Sequence, residues 1–484
     1  VKTLFLVPNN SQGQNVVRDV LYGAWCSGKL IGGATVPPQS LLSVATVARQ
    51  AGIDIVFVDA LGEGLTLEQT IQRAGDSDVV VVLTSFMVFN EDLRVLRALR
   101  EARPGLRVIL FGAQATFMPE LCLNEDLVTA MVMREPEYAL RDLLLAWRDD
   151  RPWRDLKGVA FAEDGRLQVN EPYPWIKNLD ELPIPDRTLL PKGVEYFNPI
   201  IEKYPYATML TSRGCAARCT YCTAPFFMGG RVRARSATSV LEEMEYLAGL
   251  GRRTVYFRDE DFVAFRRRNI QICEELIRRR IKLHWSCSVI AGELERDYLA
   301  LMKRAGLYCL KFGVESGNEE ILRKVNKSTN LGNVRRDFAL CRAMGVKTHA
   351  HCMLGMPGET RRTIEKTFRF IAEIKPTTVT YSVCSPYPGT PLFDLVRERH
   401  PEVTRFSTED LGIQNLHVHS RYNDMFTELT NEEIEAAVQE GYRRFYARPK
   451  YIFQSLLRVR SPREFFGLCR TGLNILSFSL SGQK

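Results

Sequence analysis

Long hydrophobic runs are missing from this 484-residue chain: the first apolar stretch, Thr3 to Val7, stops at Pro8. Nothing approaches the roughly eighteen residues of a membrane span, and no secretory signal is visible. The sequence therefore reads as cytoplasmic or peripheral to a membrane. A disulfide rhythm is missing as well. Twelve cysteines are scattered without regular pairing, which suits buried thiols plus one metal-binding cluster. Acidic residues are scarce in one place: residues 443–484 hold nine Lys/Arg against Glu464 alone, whereas the preceding 442 residues balance 56 basic against 56 acidic. A basic excess confined to one end argues against nucleic-acid binding and for a surface that meets an anionic partner.

What is present is a repeated strand-helix alternation with 45% apolar residues, enough for two or three domains. Residues 1–150 alternate β-branched runs (TLFLV, IDIVFVD, DVVVVLT, RVILFG) with helical patterns, the signature of a doubly wound, Rossmann-like α/β domain. The carboxyl ends of these strands, where such folds bind ligands, carry Asp59, Thr84, Ser85, Gly112, Ala113, Gln114 and Thr116. Residues 151–206 form a connector with a predicted hairpin at Asp164-Gly165 and a proline-studded stretch, LDELPIPDRTLLP. Six further βα units over 207–392 predict a partial (β/α)6 barrel of the TIM type, with its chemistry at the strand C-terminal ends. Residues 393–484 are irregular and then helical, basic and aromatic.

Just after the first barrel strand, RGCAARCTYC places Cys215, Cys219 and Cys222 in a C-x3-C-x2-C arrangement. A structural zinc site wants four ligands, usually as two pairs, and no partner pair is near. Thioredoxin-like chemistry needs only two cysteines. Three thiolates around a four-iron cluster leave one iron open for a ligand.

This stretch resembles the signature loop of radical S-adenosylmethionine (SAM) enzymes. The resemblance implies a 4Fe-4S cluster on Cys215, Cys219 and Cys222, SAM on the open iron, and a 5'-deoxyadenosyl radical. Tyr221 matches the aromatic position that lies against adenine. YFRDEDF resembles the second-strand motif, placing Asp259, Glu260 and Asp261 at the barrel mouth. GVESGNEEIL resembles the fourth-strand motif, implying SAM contacts from Glu315 and Ser316. LGMPGET resembles the fifth-strand glycine motif, with Gly355 and Pro357 against the adenine. RVRARS offers Arg231, Arg233 and Arg235, of which Arg233 is expected to clamp the SAM carboxylate; the alternative for any of them is a solvated face.

The order of doubly wound domain, connector and barrel resembles the cobalamin-binding (class B) branch of that family. VPPQSLLSVATVARQAGIDIVFVDA is similar to its stretch entering the second strand, FGAQATFMPE to its glycine loop and REPE to a later loop near the cofactor. The resemblance implies cobalamin contacts from Pro38, Ser40, Leu41, Asp59, Thr84, Ser85, Gly112, Ala113, Gln114, Thr116 and Glu135. No D-x-H-x-x-G motif is present, and the first histidine is His284. Cobalamin is therefore expected base-off, without a histidine from its own domain. The competing expectation is a degenerate domain that only shapes the substrate cavity.

The resemblance implies C-methylation of an unactivated carbon through a deoxyadenosyl radical and methylcobalamin, with electrons from a flavodoxin or ferredoxin. The alternatives are a non-methylating cyclase or oxidoreductase of the anaerobic porphyrin cyclase type, and a cobalamin sensor without turnover. Which residue acts directly on the substrate is not legible. His349 and His351 share one strand face, so they either line the substrate cavity with Glu260 and Asp261 or belong to the core. Cys352 points the other way, and Cys26 is a lone loop cysteine. The tail interleaves aromatics such as Phe445, Tyr446, Tyr451 and Phe466 with arginines; it either meets anionic lipid, consistent with a lipid-like substrate, or packs on the barrel.

Overall fold

The computed structural model describes residues 1–11, 13, 16–19, 22, 28–29, 31–123, 127–405, 419–449, 451–453 and 462–481. Cys26, Lys450, Leu456, Leu457, Arg458 and Arg460 lie outside the described residues, as do the side chains of Arg463 and Phe465.

The first sheet contains β1 (Lys2–Val7), β2 (Asp54–Asp59), β3 (Val79–Leu83), β4 (Arg107–Phe111), β5 (Ala130–Val132), β6 (Val159–Glu163) and β7 (Arg166–Val169). Its order is β2-β1-β3-β4-β5-β6-β7. The first five strands are parallel, and the last two attach antiparallel. Burial on both faces explains the continuous valines of β3, all fully enclosed. Helices α1 (Gln39–Gln50) and α2 (Glu137–Arg148) cover one face.

Two features of this sheet depart from the sequence reading. The short strand β5 went unrecognised. The hairpin, formed at Asp164-Gly165 as expected, completes the first sheet, so the connector's first part is an edge of the first domain. The strand order places the topological switch between β1 and β3, and a ligand is expected outside their carboxyl ends.

The second sheet is parallel throughout and runs in sequence order: β8 (Tyr206–Met209), β9 (Thr254–Phe257), β10 (His284–Val289), β11 (Leu307–Glu315), β12 (Lys347–Leu354) and β13 (Thr378–Val383). This is the expected half-barrel. Its outer face packs on helices through residues such as Phe257, Trp285, Leu310, Phe312 and Tyr381.

The tail divides in two. Helix α3 (Asn431–Tyr446) is capped by a Thr430/Glu433 box and buries Tyr442 and Phe445 against the half-barrel, where the Tyr446 hydroxyl bonds the Val379 backbone. This first part is core. Helix α4 (Pro462–Ser481) anchors through Phe478, whose ring lies 5.6 Å from that of Tyr442, yet leaves Phe466 69% and Leu473 66% exposed. No helix among the described residues is long and apolar enough to cross a membrane.

Candidate active site

The cysteine loop begins where β8 ends. A two-residue ribbon, Ser212–Arg213 paired with Arg233–Ala234, leads into Gly214. Its φ is +91°, and a Cβ there would stand 2.3 Å from the Arg231 carbonyl oxygen, so only glycine can open the loop. Backbone bonds hold the loop to its surroundings: Thr220 donates to Val325 O at 3.1 Å, and Leu392 donates to Thr220 O at 3.1 Å. Tyr221 is buried in an apolar cluster with Cys219, Ile321, Val325 and Met356. Burial raises the pKa of all three thiols, neighbouring thiols add to this at Cys215 and Cys222, and Lys327 opposes it at each. Thiols held protonated this way fit a cationic inorganic centre, whose charge makes the thiolates the stable form.

The carboxylates of YFRDEDF separate into different tasks. Asp259 accepts hydrogen bonds from the Thr211 amide, the Thr211 hydroxyl and the Ser212 hydroxyl, tying the end of β8 to that of β9. Asp261 accepts from the Ile290 amide at 3.4 Å, and burial with the nearby Glu293 charge raises its pKa to about 7. Glu260 differs: both its carboxylate oxygens are enclosed without a hydrogen-bond partner among the described residues. Burial, then the Asp259 charge, raises it to about 8.

Glu315 ends β11 with φ +61°, a strained setting for a residue with a side chain. Its carboxylate lies 3.3 Å from Lys327 Nζ. Burial raises the Glu315 pKa, and Lys327 opposes the shift. Lys327 also lies in the field of Cys219 and Cys222 and was missed by sequence reasoning; its position twelve residues after the motif glutamate gave no periodic signal.

Two sequence-expected SAM contacts, and one of the arginines offered beside Arg233, have other partners. Ser316 is fully buried and turned toward the helix behind, bonding Thr367 and the Asn318 amide. Gly355 donates its N–H to Glu359 and its carbonyl accepts from Asn423, so its backbone is already satisfied. Arg235 is held by Glu243 and Ser239. Pro357 is half-buried at the turn after β12, and Arg231 is exposed.

Arg233 is only partly committed. It bonds Glu135 at 2.8 Å and the Ile176 carbonyl at 2.7 Å, and its Nε and Nη2 are enclosed without partners. Its spare donors and the spare acceptors of Glu260 lie close enough for the two charges to influence each other.

His349 and His351 face the same side, with rings 4.4 Å apart. Both ring nitrogens of His349 are engaged, by Thr378 at 2.7 Å and Thr380 at 3.2 Å. Burial, then the Lys311 charge, lowers its pKa to about 3, so this imidazole is neutral. His351 Nδ1 lies 2.8 Å from the Thr380 hydroxyl. Cys352 is in the core on the opposite face, as expected.

In the first domain most candidate polar groups are spent internally. Asp59 accepts from the Gly62 amide and from Tyr196, and Thr116 bonds the Gly112 carbonyl and the Arg134 amide. The amides of Ser40 and Leu41 donate to Asp19, the Leu41 side chain is core, and Pro38 precedes α1. Glu135 is not available to a cofactor, being ion-paired to Arg213 and Arg233. Thr84 and Ala113 are enclosed at the ends of β3 and β4.

What remains open is small. Thr84 Oγ1, Ser85 Oγ, Gln114 Nε2 and one oxygen of Asp19 are enclosed without partners. Gly112 has φ +110°, and a Cβ there would meet the Thr84 and Tyr22 carbonyl oxygens at 2.7 and 2.8 Å. Neutral donors beside a close-packed glycine turn, at the end of the sheet expected to hold a ligand, fit a large cofactor recognised by shape and amide hydrogen bonds.

The two domains meet through a buried charge network. Arg213, two residues before Cys215, bonds Glu135 at 2.9 Å, Glu137 at 2.6 Å and the Tyr22 hydroxyl at 2.6 Å. Burial pushes the Glu135 carboxyl up, but Arg213 and Arg233 hold it below its ordinary value. Around this network Tyr22 and Phe117 pack on Phe227, and Phe86 on Tyr387, at centroid distances of 5.8–6.1 Å. The cysteine loop is thus fastened to the first domain by charge and covered by aromatic rings.

Residues 209–371 match the radical SAM superfamily, and residues 32–144 match the B12 binding domain. An uncharacterized methyltransferase of Pyrococcus horikoshii is 26% identical over 441 residues, covering 88% of this chain and 92% of its own. The anaerobic magnesium-protoporphyrin IX monomethyl ester cyclase of Rubrivivax gelatinosus is 25% identical over 487 aligned positions, covering 97% of this chain and 81% of its own. The fold is shared with the radical SAM methyltransferase TsrM of Kitasatospora setae, solved with cobalamin and a [4Fe-4S] cluster. That likeness has a TM-score of 0.70 at 16% identity and covers 99% of this chain and 98% of the other. The cysteine loop lies within the first matched segment, the open strand ends of the first sheet within the second, and the buried network joins them. This chain belongs to the cobalamin-dependent radical SAM enzymes.

Proposed function

We propose that this enzyme methylates an unactivated carbon of a small molecule held between the cysteine loop and the carboxyl ends of the first sheet. The observation that carries this reading is the Arg213 network, which fixes the loop bearing Cys215, Cys219 and Cys222 against the cobalamin-domain residues Glu135, Glu137 and Tyr22. When bound, the cluster and SAM supply a 5'-deoxyadenosyl radical and cobalamin supplies a methyl group.

The chain's own residues do the holding. The three cysteines would ligate the cluster, and Tyr221 would border the adenine. The unpaired donors of Arg233 and unpaired acceptors of Glu260 complement the carboxylate and ammonium of the SAM amino acid moiety. Glu315, fixed by Lys327, offers a hydrogen-bond acceptor to the ribose or amino group. Ser85 and Gln114 would bond the corrin periphery over the Gly112 turn. Within the cobalamin domain no histidine is present, so a bound cobalamin would receive no imidazole ligand from that domain's side chains. The aromatic seam excludes water that would quench a radical.

An external flavodoxin or ferredoxin would supply the electron from the cytoplasm. Exposed Phe466 and Leu473 on α4, in a basic tail, support a peripheral contact with anionic lipid; vesicle flotation with and without residues 462–484 tests it, and equal flotation would remove the idea.

Similarity to the Rubrivivax cyclase favours a second reading, radical ring closure without methyl transfer. Mass spectrometry of reduced, anaerobically reconstituted enzyme with SAM and candidate substrates separates the two. Methylation yields S-adenosylhomocysteine beside 5'-deoxyadenosine. Deoxyadenosine alone with a turned-over substrate would support cyclisation, and neither product would defeat both.

A further inference from the structure

The inner wall of the half-barrel carries information about the substrate. Burial alternates along β11, β12 and β13. Outward residues such as Phe312, Ala350 and Val379 are fully enclosed, whereas inward Lys311, His351 and Thr380 at mid-strand are only partly so. The inner wall is therefore only partly covered.

Its charge is one-sided. Among the six strands the only carboxylate is Glu315, at the mouth and already paired with Lys327. Two half-buried cations flank one ring: the Arg258 guanidinium is 4.9 Å and the Lys311 ammonium 4.4 Å from the Tyr256 centroid, and Lys311 donates to the Tyr256 hydroxyl. Neither cation has a carboxylate partner among the described residues. Asp19, whose field Arg258 reaches, accepts from the Ser40 and Leu41 amides through one oxygen, and its other oxygen, enclosed without a partner, forms no ion pair with Arg258. Although burial opposes it, Lys311 and Arg258 hold the Tyr256 phenol below its ordinary pKa, the mark of a locally positive field. Two cations without a bonded carboxylate in a partly enclosed wall bear a desolvation cost that an anion relieves.

We propose that Arg258, Lys311 and Tyr256 form an anion site that takes a carboxylate or phosphate of the substrate and thereby fixes which carbon faces the cysteine loop. This rests on the functional reading above and names its substrate class: a polar molecule with an anionic group, in place of the neutral lipid-like substrate suggested by the tail.

Isothermal titration tests it on anaerobically reconstituted holoenzyme saturated with SAM, using succinate and inorganic pyrophosphate as probes for the two anion chemistries. Saturable binding of at least one is expected, weakened tenfold or more by Arg258→Gln and by Lys311→Met and largely retained by Lys311→Arg. Cluster and cobalamin absorbance show that each variant is folded and loaded. Three results would overturn the site: no saturable binding of either anion by the wild type, unchanged affinity in both neutralised variants, or release of SAM by the anion. Deoxyadenosine formation by the wild type is scored separately. Its absence, together with anion binding lost in the variants, sinks the functional reading and leaves the anion site standing.

Discussion

The barrel mouth and the strand ends of the first domain both collect polar residues, yet they treat them differently. At the mouth, Glu260 and part of Arg233 are enclosed with hydrogen-bonding capacity unspent, and the three thiols are held protonated by burial. At the first sheet, Asp59, Thr116 and Glu135 are committed within the chain, leaving one oxygen of Asp19 and the neutral Thr84, Ser85 and Gln114 without partners. The difference teaches how each region recognises its ligand. One is prepared for a charged cluster and a zwitterion, the other for a large cofactor gripped by shape and amide bonds.

Replacing any one of Cys215, Cys219 or Cys222 by alanine should break the contrast most severely. Cluster absorbance and deoxyadenosine formation are expected to fall below detection while corrinoid binding persists, which paired absorption spectra and product analysis will show. Arg213→Ala should cost about 3–5 kcal/mol, because it leaves Glu135 and Glu137 buried without their shared cation. Chemical denaturation measures the loss, and a change within error would show that the seam is not held by this network.

Gly112→Ala sharpens the comparison from the other side. A methyl group facing the Thr84 and Tyr22 carbonyls at a positive φ is expected to cost about 1–3 kcal/mol and to lower corrinoid retention with cluster content unchanged. Gln114→Ala should be milder, about tenfold in cobalamin affinity, the scale of one hydrogen bond to a neutral partner.

The smallest effect concerns pH. Glu359 shapes the Gly355 turn by accepting from the Gly355 and Met356 amides, and burial raises its pKa to about 8. Because the folded value exceeds the unfolded one, its contribution is complete below the unfolded pKa and fades as pH rises through about 8. The wild type should therefore lose more stability than Glu359→Gln between pH 6 and 9, as read by thermal melts.

Much of this architecture was legible in the residues. Strand-helix alternation marked the six barrel strands within a few positions, the Asp164-Gly165 turn was found, and the cysteine spacing marked the loop after the first barrel strand. The losses have physical causes. Ala130–Val132 is too short to show a period. A register shift between Gly313 and Glu315, with positive φ at Glu315, ends the simple alternation, so Ser316 turns away from the mouth. The Arg213 pairs join residues 76 to 78 positions apart, a distance that no local pattern encodes. Asn423, which claims the Gly355 carbonyl, is likewise 68 residues away.

Both cofactors are proposed to be held by this one chain across the Arg213 seam. Anaerobic reconstitution with iron, sulfide and hydroxocobalamin, followed by desalting and joint iron, sulfide and corrinoid assay, tests this most directly. The account predicts about four iron and about one corrinoid per chain. A full cluster with no retained corrinoid would contradict it.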